Sequence, residues 1–281
     1  KDDKSLNMLT HTLERMAAGG IYDQIGGGFH RYAVDQRWLV PHFEKMLYDN
    51  AQLATAYLEG YQLTKKHLFA NIAQDILDYV DREMTHPRGG FYSATDADSV
   101  GSDGHAEEGL FFTWTPEELQ DVLGKKQGKL VGEHFGITTP GNFEGRSIPN
   151  LLHYSNSAAE IPAKKAKLLE ETAVQTRAQL YLARANRIPP GLDDKILTSW
   201  NGLMISAFAR VGQTLNNTNY IQRAENAAGF ILQSMRHKEG WLWRSWRNGQ
   251  TKYRGYLDDY AFLIQGLLDL YEANSQLKWL S

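Results

Sequence analysis

Residues 84–92 read Met-Thr-His-Pro-Arg-Gly-Gly-Phe-Tyr, and residues 235–243 read Met-Arg-His-Lys-Glu-Gly-Trp-Leu-Trp. Met84 and Met235, His86 and His237, Gly89 and Gly240, and the aromatics Tyr92 and Trp243 align without a gap. Upstream of each copy lies a pair of amphipathic helical patterns, 47–63 with 68–84 and 199–215 with 220–235. A third opening helix repeats the first, so that Leu47, Ala51, Ala54, Leu58 and Tyr61 fall on Leu257, Ala261, Ile264, Leu268 and Tyr271. Alternating steps of four and three residues put each set on one helical stripe. No such helix can bury its stripe alone, and the repeat predicts stacked helical hairpins. Phe69, Ile72, Ile76, Val80 and Met84, with Ile221, Ala224, Ile231 and Met235, are the expected core of that layer.

The joints between hairpins have their own pattern. An aromatic run follows each repeat, Phe91 to Thr95 or Trp241 to Trp246, then a turn, then a return run such as Gly109 to Trp114. Period-two patterning bounded by Gly, Asp and Ser predicts short β-hairpins, all at one end of a ring of helices. Elsewhere, a helix over 5–18 meets Gly19-Gly20, read as a left-handed stop. Gly26-Gly27-Gly28 lacks the ending of a phosphate loop, so its glycines are read as allowing close backbone approach. Thr115-Pro116-Glu117-Glu118 carries an N-cap, a first-turn proline and a capping-box glutamate. The helix it opens is short, ending near Leu123, and gives way to another over 129–135; a long charged helix spans 163–187.

No linker divides the sequence, which predicts a single domain over 1–281. About nine helical segments fall short of the twelve in a closed ring of six hairpins. Leu277-Lys278-Trp279 stands where His67-Leu68-Phe69 begins the partner helix of the first hairpin. The expectation is an incomplete ring cut from a longer protein.

Composition narrows the chemistry. With 281 residues, 42% hydrophobic and 22% charged, the chain can bury a large core. A net charge of −3 without a long basic run gives no footprint for nucleic acid or an anionic membrane. The absence of cysteine excludes disulfides, thiolate nucleophiles and Cys-ligated zinc from this chain, and fits the cytoplasm. No Walker motif, dinucleotide fingerprint, Gly-x-Ser-x-Gly elbow or His-Glu-x-x-His occurs, and no cofactor is expected.

The densest ionisable stretch is Val40-Pro-His-Phe-Glu-Lys-Met-Leu-Tyr-Asp-Asn50. His42, Glu44, Lys45, Asp49 and Asn50 gather at a helix entrance, beside a preceding hairpin with His30, Arg31 and Tyr32. A histidine beside carboxylates can transfer protons near neutral pH; alternatively, the acids serve the helix N-terminus. A second cluster holds Asp96, Asp98, Gly101 and Glu107 at calcium-loop positions. Val100 stands there in place of an oxygen ligand and flanking helices are missing, so a turn between strands is preferred and no metal is expected. Trp200-Asn201 and Asp259-Tyr260 stand at two further helix starts, read as equivalents of Tyr48-Asp49 and Asp49-Asn50. They are either repeated caps or a polar funnel facing a central cavity.

These stretches resemble a known family. Gly19 to Tyr32, Val40 to Leu53, Tyr92 to Ser99, Asp193 to Ile205 and Tyr256 to Ile264 are similar to the thioredoxin-domain-containing proteins that include spermatogenesis-associated protein 20, over essentially the whole chain. The resemblance implies an all-α fold, an incomplete α/α toroid of helical hairpins like N-acylglucosamine 2-epimerases and six-hairpin glycosidases. It also implies a saccharide ligand and a thioredoxin-like domain elsewhere in a full-length protein, with any redox role outside this polypeptide. Two functions then compete. One is a carbohydrate-active domain with His30, His42, Glu44, Asp49 and Asp259 as proton-transfer residues, and with Arg31, Tyr32, Asn50, Asp96, Asp98, Trp200, Asn201 and Tyr260 binding sugar. Hydrolysis would pair Asp49 with Asp96, Asp98 or Asp259; 2-epimerisation would use His30 and His42. The other is a non-catalytic scaffold that binds a partner or its own thioredoxin-like domain. His30, His42, Glu44, Asp49 and Asp259 are expected to line one cavity.

Overall fold

A computed structural model describes residues 2–101, 104–153 and 162–281. It is mainly helical, with small antiparallel sheets at helix ends. The helices are α1 (Asp3–Ala18), α2 (Leu47–Thr64), α3 (His67–Glu83), α4 (Pro116–Phe135), α5 (Ala163–Arg184), α6 (Thr198–Thr214), α7 (Thr218–Ser234) and α8 (Leu257–Asn274). Gly124, at φ 76° and ψ 159°, breaks α4 where the sequence predicts two helices. Thr115 caps it with the expected reciprocal pair, its hydroxyl accepting the Glu118 N–H while Glu118 accepts the Thr115 N–H.

The residues form two compact units, each made of two stretches: 1–44 with 96–191, and 45–95 with 192–281. In the second unit, α2 packs on α3, α6 on α7, and α6 also on α2 and α8. The sequence repeat recurs here bond for bond. Helices α3 and α7 start and stop at equivalent residues, and Met84 and Met235 each donate back to the fourth residue before. His86 N–H bonds the Gly90 carbonyl as His237 N–H bonds that of Trp241; Tyr92 N–H bonds Met84 as Trp243 N–H bonds Met235. In both copies the imidazole Nδ1 accepts the amide two residues ahead, Arg88 at 3.1 Å and Glu239 at 3.3 Å. The glycines close these turns with φ 112° and 93°. The repeated histidine is therefore a turn-forming residue.

The predicted stripes are buried in the two hairpins. Phe69, Ile72, Ile76, Val80, Met84, Ala224, Ile231 and Met235 are buried, and Ile221 is half-buried. In α8 the expectation fails. Leu257 is 85% exposed, Ile264 55% and Leu268 43%, and Ala261 is also exposed. What α8 buries is Asp259, Leu263, Gly266, Asp269 and Leu270. The cause is a close helix crossing: a Cβ on Gly266 would lie 2.5 Å from the Gly202 carbonyl oxygen, so α8 turns its glycine face to α6. Trp279, in a short 3₁₀ turn over Leu277–Leu280, is buried much as Phe69 is.

Strand pairing corrects one expectation and meets another. Trp243–Arg247 and Gln250–Arg254 form the predicted hairpin through Asn248-Gly249, both at positive φ. The run after Phe91 does not fold back on Gly109 to Trp114. Ala94–Thr95 instead lies between Lys45–Met46 and Leu192–Asp193, three strand segments that flank the helix pairs. Gly109 to Trp114 is a turn, with Trp114 bridged to Ser147. The hairpin in that region is Asp98–Val100 with Ala106–Glu108, which places Asp98 and Glu107 on paired strands, with Asp96 and Gly101 outside them; Ser102 and Asp103 lie outside the described residues. Gly19 corrects a further expectation: its φ is −76°, and Gly19 and Gly20 are needed because added Cβ atoms would meet the Trp38 and Leu39 carbonyl oxygens at 2.2 and 2.1 Å.

Candidate functional site

In the first unit two short strands bring together a cluster of ionisable side chains. Tyr32–Ala33 pairs with Pro41–His42, with Tyr32 directly across from His42 and their rings 5.1 Å apart. Two residues beyond His42, Glu44 returns to the same side of the extended chain. The His42 ring is held at both nitrogens by carboxylates: Nδ1 lies 2.7 Å from Glu108 Oε1, and Nε2 lies 3.2 Å from Glu44 Oε2. Glu108 Oε1 also accepts the Phe43 N–H at 3.2 Å, and Glu44 Oε2 accepts from Arg31 at 2.9 Å. All four side chains retain solvent access, His42 at 27% and Glu44 at 26%.

Glu108 is the member that sequence reading missed. It stands 66 residues from His42 and reaches it because the Asp98–Val100/Ala106–Glu108 hairpin places it there. Asp98 is its cross-strand partner, and Asp96 and Asp98 are both exposed. Asp96 Oδ1 accepts the Ala97 N–H.

His30 sits differently. It is 2% exposed, its Nδ1 lies 2.9 Å from the Phe43 carbonyl, and its ring meets Phe43 and Phe112 edge to face at 5.1 and 4.6 Å. Below this aromatic layer runs a second unforeseen feature, the buried ion pair of Asp23 and Arg184. Arg184 Nη1 donates to Asp23 Oδ1 at 2.9 Å, and that oxygen also accepts the Ile25 and Gly26 N–H groups. Gly26 leaves the space, since its Cβ would lie 1.9 Å from Arg184 Nη2. Gly27 and Gly28 follow at φ 77° and 74°.

In the second unit the polar residues at the helix starts act mostly as clamps. Asn50 and Asn201, both fully buried, donate to the carbonyls of Met46 and Leu197 four residues back. Their matching bonds make Asn50 the equivalent of Asn201, one residue away from the alignment with Asp49. Asn201 further takes both backbone groups of Phe91, at 2.8 and 3.0 Å. Asp259 is fully buried; its carboxylate accepts from the Ser199 and Tyr256 N–H groups and from Arg244. Tyr260 Oη accepts the Leu242 N–H. Tyr48 and Trp200 stay half-buried with ring centroids 4.7 Å apart. Asp49 is half-buried in the first turn of α2. Thus His42, Glu44, Arg31 and Tyr32 converge in one unit, whereas Asn50, Asn201, Asp259 and Tyr260 are committed to backbone partners in the other.

No family model matches the chain. Human spermatogenesis-associated protein 20 is 40% identical over 99% of this chain, which spans 39% of that protein's length. Uncharacterized protein B0495.5 of Caenorhabditis elegans is 38% identical over 96% of the chain and 41% of its own length. Among solved structures, an unsaturated glucuronyl hydrolase from Bacillus sp. GL1 matches all of this chain and 53% of its own, with a TM-score of 0.53 at 11% identity. That likeness is one of fold. Over a segment equal to 39% of the human protein's length, the chain is similar to spermatogenesis-associated protein 20, and its fold is that of the α/α toroids.

Proposed function

We propose that this segment is a saccharide-handling domain in which His42, Glu44 and Glu108 transfer protons at a glycosidic bond. The observation that carries the reading is the doubly held imidazole of His42, part-exposed between two glutamates. Hydrolysis of a glycoside requires one carboxyl group to protonate the leaving oxygen and a second to serve as base or nucleophile. Glu44 and Glu108 supply the pair, and the imidazole between them passes a proton from one to the other. Tyr32, 49% exposed beside His42, offers a face on which a pyranose ring can stack. Hydrolysis is favoured over two-histidine epimerisation because His30 is buried against Phe43 and Phe112, out of reach of a substrate carbon. In the longer relatives' context, the partner we propose is a thioredoxin-like domain of the same protein, and the location the cytoplasm.

The test is turnover of a panel of 4-nitrophenyl glycosides, with saturation-transfer NMR for binding. Glu108→Gln and Glu44→Gln should each lower the rate on an accepted glycoside by about 100-fold or more, with melting temperatures near the parent because both side chains face solvent. Turnover that survives both substitutions would overturn the assignment. Absence of both turnover and sugar binding across the panel would leave a partner-binding scaffold.

A further inference from the structure

A cavity of about 500 Å³ opens in the first unit, lined by Ser99, Gly101, Phe111 and Asn186 and by the charged trio Glu118, Arg146 and Arg187. Its size suits a small ligand. The two arginines share one carboxylate: Arg146 Nη2 reaches Glu118 Oε2 at 2.7 Å and Arg187 Nη2 reaches the same oxygen at 3.2 Å. Among the described residues the rest of the lining is uncharged, so these residues together carry one surplus positive charge.

The arrangement is fixed from three sides. Arg187 stacks 4.1 Å over Trp114, and its Nη1 donates to the carbonyls of Leu110, Phe111 and Thr113 at 3.2, 2.9 and 2.7 Å. Burial pushes its guanidinium down to about 10, against the attraction of Glu118, so it keeps its charge at neutral pH. Arg146 is aimed by a two-residue turn: Phe143 and Arg146 bond reciprocally, while Glu144 and Gly145 adopt φ 48° and 77°. Gly141 lets that turn close, because a Cβ there would lie 2.2 Å from the Arg146 carbonyl oxygen. The Nε and Nη2 of Arg146 are spent on Thr113 and Glu118. Its Nη1 has no protein partner among the described residues. A guanidinium edge so placed, in a cavity with excess positive charge, fits the oxygens of a planar or tetrahedral oxyanion.

We infer that this cavity is a binding site for the oxyanion group, carboxylate or phosphate, of a small ligand, with Arg146 as the contacting residue and Arg187 as the fixed charge behind it. The inference is independent of the reaction assigned to His42. It is tested by titrating the protein with inorganic phosphate, with glucuronate and with glucose as neutral control, following the arginine side-chain NMR signals. Saturable shifts with phosphate, glucuronate or both, but not with glucose, are expected, and the two arms tell which oxyanion is preferred. Asn186→Asp adds a negative charge to the wall while both arginines remain in the sequence, and should weaken binding by about tenfold or more; Arg146→Gln should do the same. If Arg146→Gln fails to fold, Asn186→Asp decides alone. Shifts that do not saturate, that glucose reproduces, or that persist unchanged in Asn186→Asp would overturn the site.

Discussion

Arg184 is a guanidinium with 1% of its side chain exposed, and Asp23, at 5%, is the carboxylate that makes this tolerable. Taking a charge out of water costs several kcal/mol, returned here by the ion pair and by ring faces of Phe111 and Phe112 at 5.1 and 5.3 Å. Asp23→Ala leaves the cation buried and uncompensated, and should lower stability by about 3–5 kcal/mol in urea denaturation. Adding Arg184→Met to that variant should recover part of the loss, since no buried charge remains. A double variant less stable than Asp23→Ala would show that Arg184 contributes chiefly by packing. Nothing local in the sequence announces this pair, whose members are 161 residues apart. His42 and Glu44 were legible because two residues of extended chain set them on one side; Glu108 was not, because its approach depends on a distant hairpin.

At the scale of elements, helix periodicity told which residues share a stripe but not which stripe would be covered. Leu47 in α2 and Leu257 in α8 hold the same position in the same pattern, yet Leu47 is fully buried and Leu257 is 85% exposed. Leu47→Ala should therefore cost about 2–5 kcal/mol, whereas Leu257→Ala should stay within about 0.5 kcal/mol. Equal losses in the two variants, measured by chemical denaturation, would contradict the orientation of α8. The deciding signal was present in Gly202 and Gly266: small residues mark where two helices meet closely, and that contact overrides the apolar stripe. Strand partners were less legible still. Segments as short as Ala94–Thr95 carry too little pattern to name their neighbours, and pairing followed the helix ends that deliver them. The Met-x-His repeat, by contrast, set its turn completely, because its bonds close within nine residues.

For the molecule as a whole, the consequence of two interleaved units is that no single cut separates them. The second unit joins residues 45–95 to 192–281, and the first joins 1–44 to 96–191. Within the second, Phe91 stacks on Phe208 at 5.2 Å and Asn201 holds the Phe91 backbone, so α6 is covered by residues from the earlier stretch. A chain beginning at residue 96 would expose that face of α6, where Met204, Phe208 and Val211 are now fully buried. It would also deprive Arg184 of Asp23. The fragment 96–281 should accordingly show no cooperative urea transition, and mixing it with fragment 1–95 should restore one, because each supplies the other's missing packing faces. The same reasoning orders folding: the first unit cannot be completed before residue 191 is available, although residues 1–44 precede the whole of the second. Cooperative unfolding of 96–281 by itself, with fixed aromatic signals in near-ultraviolet circular dichroism, would mean that the later stretches pack independently and that the covering of α6 by Phe91 is dispensable.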